Sequence, residues 1–163
     1  MAREIRTIGV MTSGGDAPGM NAAIRAVVRA CAYYNVKCVG FYRGYQGMIE
    51  GDYCVMNARS VRNIISRGGT ILKSARSKEF KTTEGRKKAA EHLDEIGVDA
   101  MVLIGGDGTF TGGKVFSDEY DIPVIGVPGT IDNDISGTNF TIGYDTALNT
   151  VVDSVQVLRY IIE

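Results

Sequence analysis

The chain has 163 residues, of which 44% are hydrophobic and 23% charged, and its mean hydropathy is close to zero. This composition predicts one globular domain with a buried core and excludes a fibrous or disordered chain. The 18 basic and 19 acidic side chains leave a formal net charge of -1, so no net positive field favours nucleic acid or an anionic membrane as a partner.

The first part of the chain predicts alternating strands and helices. A strand over Thr7–Met11 precedes the glycine-rich segment Thr12–Met20 and a helix over Asn21–Tyr34. The inward face of that helix is predicted to carry Ile24, Val27, Val28 and Cys31. The elements predicted next are a strand at Val36–Tyr42, a turn at Gly44–Gly47, a short strand at Tyr53–Met56, and a helix from its N-cap Ser60 to Gly68 and Gly69.

The second part of the chain continues the alternation. The predicted helices are Lys81–Ile96, which Gly97 ends, then one across Gly113–Glu119, and Tyr144–Ile162. The strands Met101–Ile104 and Val124–Val127 are apolar throughout and are therefore predicted to be buried on both faces. The lone histidine, His92, falls in a polar helix and is predicted to face solvent.

This pattern is typical of a Rossmann-like α/β fold, an open and mostly parallel sheet with helices on both faces, in three αβα layers. The last predicted helix is still continuing at Glu163. We therefore expect the chain to be part of a longer protein, the alternative being a helix that frays at its own end. No apolar run approaches the ~18 residues of a membrane span.

The cysteines favour a reducing compartment. Cys31, Cys38 and Cys54 are odd in number, form no Cys-x-x-Cys pair, and share the chain with a single histidine. These features argue against a disulfide framework and against a zinc site. Since the N-terminus also lacks the apolar stretch of an export signal, we expect a cytoplasmic protein.

Glycine-rich segments follow two of the predicted strands. Ser13–Gly19 lies between a strand and a helix N-terminus, where backbone N–H groups and the helix dipole favour an anion such as phosphate. Its spacing matches neither G-x-x-x-x-G-K-[ST] nor G-x-G-x-x-G, and a tight turn without a ligand is the alternative. In Gly105–Thr109, Asp107 could hold Mg²⁺ together with phosphate oxygens; otherwise Asp107 or Thr109 caps the following helix.

A third segment supplies candidate general bases. Asp132 and Asp134 follow the strand at Val124–Val127, and their i, i+2 spacing would place both on one side of an extended strand end. A carboxylate that accepts the proton of a hydroxyl group during phosphoryl transfer is worth about 10²–10⁴ in rate. The alternative is an Asx-type turn at Asp132 and Asn133 that has no chemical role.

Four segments together resemble the N-terminal half of the bacterial-type 6-phosphofructokinases. Gly-Gly-Asp-Gly-Thr also occurs in NAD kinases and lipid kinases, but the four segments stand in the order and spacing of this one family. They are Met11–Asn21 (MTSGGDAPGMN), Ser66–Arg76 (SRGGTILKSAR), Gly105–Thr109 (GGDGT) and Pro128–Asp134 (PGTIDND).

The resemblance implies transfer of a phosphoryl group from Mg-ATP to the 1-hydroxyl of fructose 6-phosphate in glycolysis, with Asp132 as the proton acceptor. The predicted catalytic residues are Asp132, Gly15, Arg76, Thr130 and Asp134. The residues expected to bind ATP are Gly15, Arg76, Ser77, Gly106, Asp107, Gly108 and Thr109, of which Asp107 holds Mg²⁺. The sugar phosphate is expected to meet Thr130, Ile131 and Asp132.

Two glycines bear on the phosphoryl donor. Relatives that use pyrophosphate typically carry Asp at the position of Gly108 and Lys at the position of Gly129. A carboxylate at the first position would repel the α-phosphate of a nucleotide, and a lysine at the second would suit a smaller anion. The two glycines therefore favour ATP over pyrophosphate.

Four arginines are predicted to bind an effector. Arg25 and Arg29 are one helical turn apart, a spacing that more often gives a solvated pair. The resemblance, however, places both in a site between subunits for ADP or phosphoenolpyruvate, to which Arg159 also belongs. The stretch Ala58–Asn63 departs from the pattern of that site in the family, and Arg59 or Arg62 could substitute there.

Family members are much longer than this chain, and their second half supplies further groups to the sugar-phosphate site. The implied organisation is a nucleotide-binding α/β domain at 1–143, followed by a helix at 144–163 that leads to a sugar-phosphate domain missing from this chain. The chain alone would then be inactive and its parent a homotetramer. The alternatives are a kinase that uses pyrophosphate or acts on another sugar, and a nucleotide-sensing module without catalysis.

Overall fold

A computed structural model describes residues 4–162 of the chain and shows one five-stranded mixed sheet. The strands stand in the order β3-β2-β1-β4-β5, with β2 and β3 antiparallel and every other neighbouring pair parallel. The strands are β1 (Thr7–Thr12), β2 (Lys37–Phe41), β3 (Tyr53–Met56), β4 (Ala100–Gly105) and β5 (Val124–Pro128). This arrangement confirms the predicted mostly parallel α/β sheet.

Within residues 4–162, five α-helices and one short 3-10 helix connect and follow the strands. The 3-10 helix is Glu79–Lys81, and the α-helices are α1 (Met20–Tyr33), α2 (Tyr45–Glu50), α3 (Thr83–Ile96), α4 (Asp107–Tyr120) and α5 (Tyr144–Ile162). Thr82 caps α3, because its hydroxyl accepts the N–H of Gly85, and Gly97 ends that helix at φ 74° as its position predicted.

Helices pack on both faces of the sheet, which gives the predicted three layers. On one face Ile24 and Val28 of α1 pack with Val10 and Ile104 of the two central strands. On the other face the core is built from α2, α3 and α4 against the opposite sides of the strands, and its members include Met48, Leu93, Phe116, Phe41, Met101 and Leu103. Because successive side chains of a strand point to opposite faces, β1 and β4 contribute to both cores.

Several predicted elements are wrong or misplaced. The predicted turn at Gly44–Gly47 lies mostly within α2, whose first residue follows Gly44 at φ 60°. The predicted helix after Ser60 is a series of turns, in which the Asn57 side chain accepts the N–H groups of Arg59 and Ser60 and Asn63 has φ 57°. The helix predicted at Gly113–Glu119 begins earlier, at Asp107.

The environments of β5 and His92 also differ from expectation. In the described residues β5 is an edge strand, and Ile125 is 66% exposed, so the prediction of burial on both faces is wrong for this strand. His92 is half-buried, and its Nδ1 lies 3.0 Å from the carbonyl oxygen of Met48 in α2. The predicted solvent-facing position of His92 is therefore wrong.

Helix α5 forms as predicted and carries an exposed apolar face. The side chains of Leu148, Val151, Val152, Val155 and Leu158 are all about half exposed. No helix within residues 4–162 is long and apolar enough to cross a membrane. Residues 1–3 and 163, the outer ends of the two predicted segments 1–143 and 144–163, lie outside the described residues. The division into these two segments stays a prediction.

Candidate active site

A cleft of about 390 Å³ opens at the carboxyl ends of β1, β4 and β5. β2 lies on one side of β1 in the sheet, and β4 lies on the other side. The cleft is therefore at the point where the strand order reverses, the usual ligand site of an open α/β sheet. The cleft is lined by Ser13, Gly14, Gly15, Tyr45, Ala75, Arg76, Ser77, Lys81, Gly106, Asp107, Gly108, Thr109, Gly129, Thr130, Asp132 and Asp134.

The cleft therefore brings together all of the predicted catalytic and ATP-binding residues. Gly15 follows β1, Asp107 follows β4, and Asp132 follows β5, so three separate loops meet at this edge of the sheet. Ile131 is the exception among the predicted substrate contacts, because its side chain is exposed and does not line the cleft. Each residue's chemical role stays a prediction.

The loop after β1 presents backbone to the cleft. Ser13 continues the strand, since its N–H donates to the carbonyl oxygen of Ile104 at 3.1 Å. Gly14 has φ 87°, a conformation that side chains disfavour. A Cβ added at Gly15 would meet no atom within 4 Å, so this glycine leaves open space in the cleft. A phosphate could approach the backbone there without a side chain in the way.

The junction of β4 and α4 contains glycines of two kinds. A Cβ on Gly105 would lie 2.6 Å from the carbonyl oxygen of Ser13 and from the Thr109 hydroxyl, so packing alone requires glycine there. A Cβ on Gly108 would meet nothing within 4 Å. Packing therefore does not explain Gly108, and a ligand in the cleft would.

Asp107 is the first residue of α4, and its side chain is not used to cap that helix. The N-cap is Gly106, which makes no side-chain hydrogen bond. The alternative in which Asp107 or Thr109 serves as the N-cap is therefore wrong. Asp107 is exposed in the cleft, near the positive end of the α4 dipole, where a negatively charged group such as a carboxylate is favoured.

The loop after β5 carries the two candidate bases in a turn, not in the extended strand end that their spacing suggested. The chain bends at Asn133, which has φ 51°, and the Asn133 side chain accepts the N–H of Thr141 at 2.9 Å. The Thr130 hydroxyl accepts the N–H of Asp132 at 3.2 Å and lies 3.5 Å from its Oδ2. Asp132 and Asp134 are both exposed and both line the cleft.

Tyr45 and Lys81 line the cleft and were missed by the sequence analysis. The Tyr45 ring stacks on Phe80 of the 3-10 helix, with 3.8 Å between ring centroids, and burial raises the pKa of the Tyr45 hydroxyl. The pair Gly112 and Gly113 in α4 was the available signal, since added Cβ atoms there would meet the Tyr45 ring or hydroxyl at 3.2–3.3 Å. For Lys81 the sequence offers no comparable signal.

The carboxylates of the cleft do not form a ready-made metal cage. Within residues 4–162 no three His, Cys, Asp or Glu side chains are grouped so that they could hold an ion. A single exposed carboxylate, Asp107, next to open backbone suits Mg²⁺, which binds one or two carboxylates and takes its other ligands from phosphate and water. The donor set therefore fits Mg²⁺ bound together with a phosphate-bearing ligand.

The four predicted effector arginines lie outside this cleft. Arg25 donates to the carbonyl oxygen of Val61 at 2.6 Å, so it is engaged with the turns of the 57–69 segment. Arg29 is exposed one helical turn further along α1, and Arg59 is exposed at the start of those turns. Arg159 is exposed near the end of α5.

Comparison with known proteins identifies relatives over nearly all of the chain. The sequence profile of one family, Phosphofructokinase, matches residues 7–162. The protein named ATP-dependent 6-phosphofructokinase 2 of Bacteroides thetaiotaomicron is 56% identical over 155 residues, which are 95% of this chain and 48% of that protein. The ATP-dependent 6-phosphofructokinase of Halothermothrix orenii is 57% identical over 155 residues, 95% of this chain and 47% of that protein.

A solved structure agrees with the sequence relatives. The structure of phosphofructokinase from Saccharomyces cerevisiae is 38% identical and superposes with a TM-score of 0.92, covering 96% of this chain and 24% of that one. The chain thus spans about half the length of the curated relatives that it matches.

Proposed function

The chain belongs to the phosphofructokinase family, and we propose that the intact protein transfers the γ-phosphoryl group of ATP to the 1-hydroxyl of fructose 6-phosphate. The product is fructose 1,6-bisphosphate, and the reaction is a step of glycolysis. One observation carries the proposal: Gly15, Asp107 and Asp132, from three separate loops, line one cleft. The names of the relatives at 56–57% identity support ATP as the donor.

In the proposed reaction Asp132 accepts the proton of the attacking sugar hydroxyl. Its carboxylate is exposed in the cleft and therefore accessible. Within residues 4–162 it forms no ion pair with a basic side chain. The Thr130 hydroxyl receives the backbone N–H of Asp132 and thereby fixes the start of the loop. Asp134, at the same cleft, is the second candidate for this role.

Phosphoryl transfer needs charge stabilisation more than covalent chemistry. The Arg76 guanidinium and the backbone N–H near Gly15 are proposed to stabilise the negative charge that develops on the transferred group. Asp107 would hold Mg²⁺, which supplies further positive charge at the phosphate oxygens. Other proposed contacts of the nucleotide are Ser77, Gly106, Gly108 and Thr109, all of which line the cleft.

The two glycines that bear on the donor differ in their surroundings. Open space at Gly108 supports a nucleotide in the cleft, because an aspartate there would intrude on it. A Cβ on Gly129 would lie 3.3 Å from Ile104 Cγ2, so packing within the protein already restricts this position. Gly108 is therefore the better support for ATP over pyrophosphate.

The sugar-phosphate site is proposed to be incomplete in this chain. Thr130, Ile131 and Asp132 would contribute to it, and the remaining contacts would come from a second domain that the helix from 144 onward leads to. The chain as given would then bind nucleotide weakly and not turn over, because half of the substrate's contacts are lacking. The parent enzyme is proposed to be a cytoplasmic homotetramer.

An effector site is proposed at Arg25, Arg29, Arg59 and Arg159, with ADP or phosphoenolpyruvate as the ligand. Its support is the family pattern and the position of Arg29 and Arg59 at the exposed surface near the Arg25–Val61 contact. An anion would compete with the Val61 carbonyl for Arg25, so binding there is expected to alter the 57–69 segment.

The proposed function is tested on the intact protein with a coupled assay that compares Mg-ATP and pyrophosphate as donors to fructose 6-phosphate. We expect turnover with ATP at least ~100-fold faster than with pyrophosphate, because glycine at position 129 lacks the positive charge that would suit the smaller anion. Faster turnover with pyrophosphate would support the alternative kinase. Calorimetric binding of Mg-ATP without sugar-phosphate binding or turnover would support a nucleotide-sensing module.

A further inference from the structure

Arg76 lies in a segment without regular secondary structure, between β3 and the 3-10 helix. Its side chain is exposed, and within residues 4–162 it makes no hydrogen bond or ion pair. Only the backbone of its own segment therefore determines the place from which this side chain extends into the cleft. What holds that backbone decides how well Arg76 is placed for charge stabilisation.

Thr12, a residue of the sheet, anchors the segment that contains Arg76. This residue is the last of β1, and it is fully buried. Its hydroxyl lies 2.7 Å from the carbonyl oxygen of Lys73 and 2.9 Å from the hydroxyl of Thr70. Since the Thr12 hydroxyl has one hydrogen and a carbonyl only accepts, Thr12 donates to Lys73 and Thr70 donates to Thr12.

Further hydrogen bonds support the segment. The N–H of Arg43 donates to the carbonyl oxygen of Leu72 at 2.8 Å. The buried Asn21 side chain, in the first turn of α1, accepts the N–H of Ile71 at 2.8 Å and donates to the carbonyl oxygen of Arg67 at 3.1 Å. On the other side of Arg76, the Ser77 hydroxyl donates to Gln46 Oε1 at 2.8 Å. Arg76 therefore stands in a short span between two anchored points.

Thr12 also immediately precedes Ser13, Gly14 and Gly15, the loop that presents backbone N–H groups to the same cleft. We propose that Thr12 is a positioning residue that fixes the Arg76 segment relative to the Gly15 loop. This inference rests on the proposed function, in which both groups stabilise the transferred phosphoryl group. Thr12 itself is buried and touches no substrate.

Loss of the Thr12 hydroxyl should weaken stabilisation of the transition state more than it weakens nucleotide binding, because Arg76 is needed most when negative charge develops. In the intact enzyme, Thr12→Val keeps the shape and removes the hydroxyl. We expect kcat to fall about ten-fold, with KM for ATP changing less than about three-fold. Thr12→Ser restores the hydroxyl and should retain near-normal kcat.

The matched control is Thr7→Val, which makes the same substitution at the buried opposite end of β1, away from the cleft, and should leave kcat unchanged. A double-mutant cycle with Arg76→Ala tests the mechanism. If Thr12 acts through Arg76, adding Thr12→Val to Arg76→Ala causes little further loss of kcat.

Three results would overturn the inference while leaving the proposed function intact. The first is an unchanged kcat in folded Thr12→Val, and the second is an equal loss of kcat in Thr12→Val and Thr12→Ser. The third is that Thr12→Val lowers kcat by the same factor in the wild type and in the Arg76→Ala variant. If Thr12→Val does not fold, Thr70→Val is the variant that tests the inference, since it removes only the bond between the two hydroxyls. We expect kcat to fall less in Thr70→Val than in Thr12→Val. An unchanged kcat in Thr70→Val would overturn the inference. A wild-type enzyme without any turnover would instead refute the proposed function.

Discussion

The hydroxyl of Tyr45 donates a 2.5 Å hydrogen bond to the backbone carbonyl oxygen of Thr109. Tyr45 begins α2 and Thr109 lies in the first turn of α4, so the bond ties two helices that are far apart in sequence. Both residues line the cleft and both are buried. The bond therefore fixes the turn that carries Asp107 and Gly108.

Tyr45→Phe keeps the ring stacked on Phe80 and removes only this bond. The carbonyl oxygen of Thr109, which lies within α4, then loses this second donor, which should lower the free energy of unfolding by about 1 kcal/mol, the net contribution of one hydrogen bond. Urea denaturation of the intact protein measures the loss. Tyr53→Phe, at a partly exposed ring in β3, is the control and should change little. Equal midpoints for both variants would contradict the prediction.

Gly108→Asp should sharply reduce the use of ATP without unfolding the protein. The added side chain meets only open space, and a carboxylate in the first turn of α4 is favoured by the helix dipole. We expect kcat/KM for ATP to fall by at least about 100-fold, equivalent to about 3 kcal/mol of repulsion at the nucleotide phosphates.

The control for Gly108→Asp is Gly68→Asp, because a Cβ there also meets nothing within 4 Å and Gly68 does not line the cleft. Its ATP kinetics should match those of the wild type. Unchanged ATP kinetics in Gly108→Asp would show that no nucleotide phosphate approaches this position.

Asp132→Ser should lower kcat by about 10²–10⁴, the range for loss of a general base, while the affinity for fructose 6-phosphate stays within a few-fold. The smaller polar side chain avoids a clash in the exposed loop and cannot accept the proton. Steady-state kinetics and equilibrium binding on the same samples separate the two effects. Asp134→Ser is the matched comparison, and a larger loss of kcat there would move the role of base to Asp134.

The stability of the protein should fall at alkaline pH through Cys38. Burial, with a smaller contribution from the neighbouring Cys31, raises the pKa of the Cys38 thiol above its ordinary value. A thiol whose folded pKa is raised contributes stability that is fully present below the unfolded pKa of about 8.5. That contribution is lost as pH rises above this value, by about 1.4 kcal/mol per pH unit.

Denaturation midpoints at pH 7, 8, 9 and 10 measure this effect. Cys38→Ala should be less stable at neutral pH because it leaves a cavity in the core, but its stability should decline less steeply above pH 8.5. Parallel declines in the wild type and the variant would show that Cys38 does not contribute.

Much of the fold was accessible from the sequence because single segments determine it. Continuous apolar runs identified β1 and β4, and Gly97 marked the end of α3 through its left-handed conformation. The glycine and acidic residues at strand ends predicted a shared cleft, because parallel strands bring their carboxyl ends to one edge.

The incorrect predictions have a common cause, since each of these features depends on tertiary contacts. Helix α2 is too short to be stable alone and depends on packing against α3 and the 3-10 helix. Because α2 was not predicted, neither the contact of His92 with Met48 nor the place of Tyr45 in the cleft could be foreseen. For β5 the apolar pattern indicates a strand suited to burial, but it cannot tell whether a neighbour covers Ile125.

Gly105 and Gly108 belong to one short glycine-rich segment, yet they should differ in their tolerance of substitution. In a library that randomises both codons, screening for soluble protein alone should retain glycine at 105, where any Cβ would meet the Ser13 carbonyl oxygen and the Thr109 hydroxyl. At position 108 the same screen should accept many residues. Glycine should be enriched there only in a second selection, in which survival depends on use of the nucleotide. Deep sequencing of the two selections would then distinguish an architectural constraint from a metabolic one.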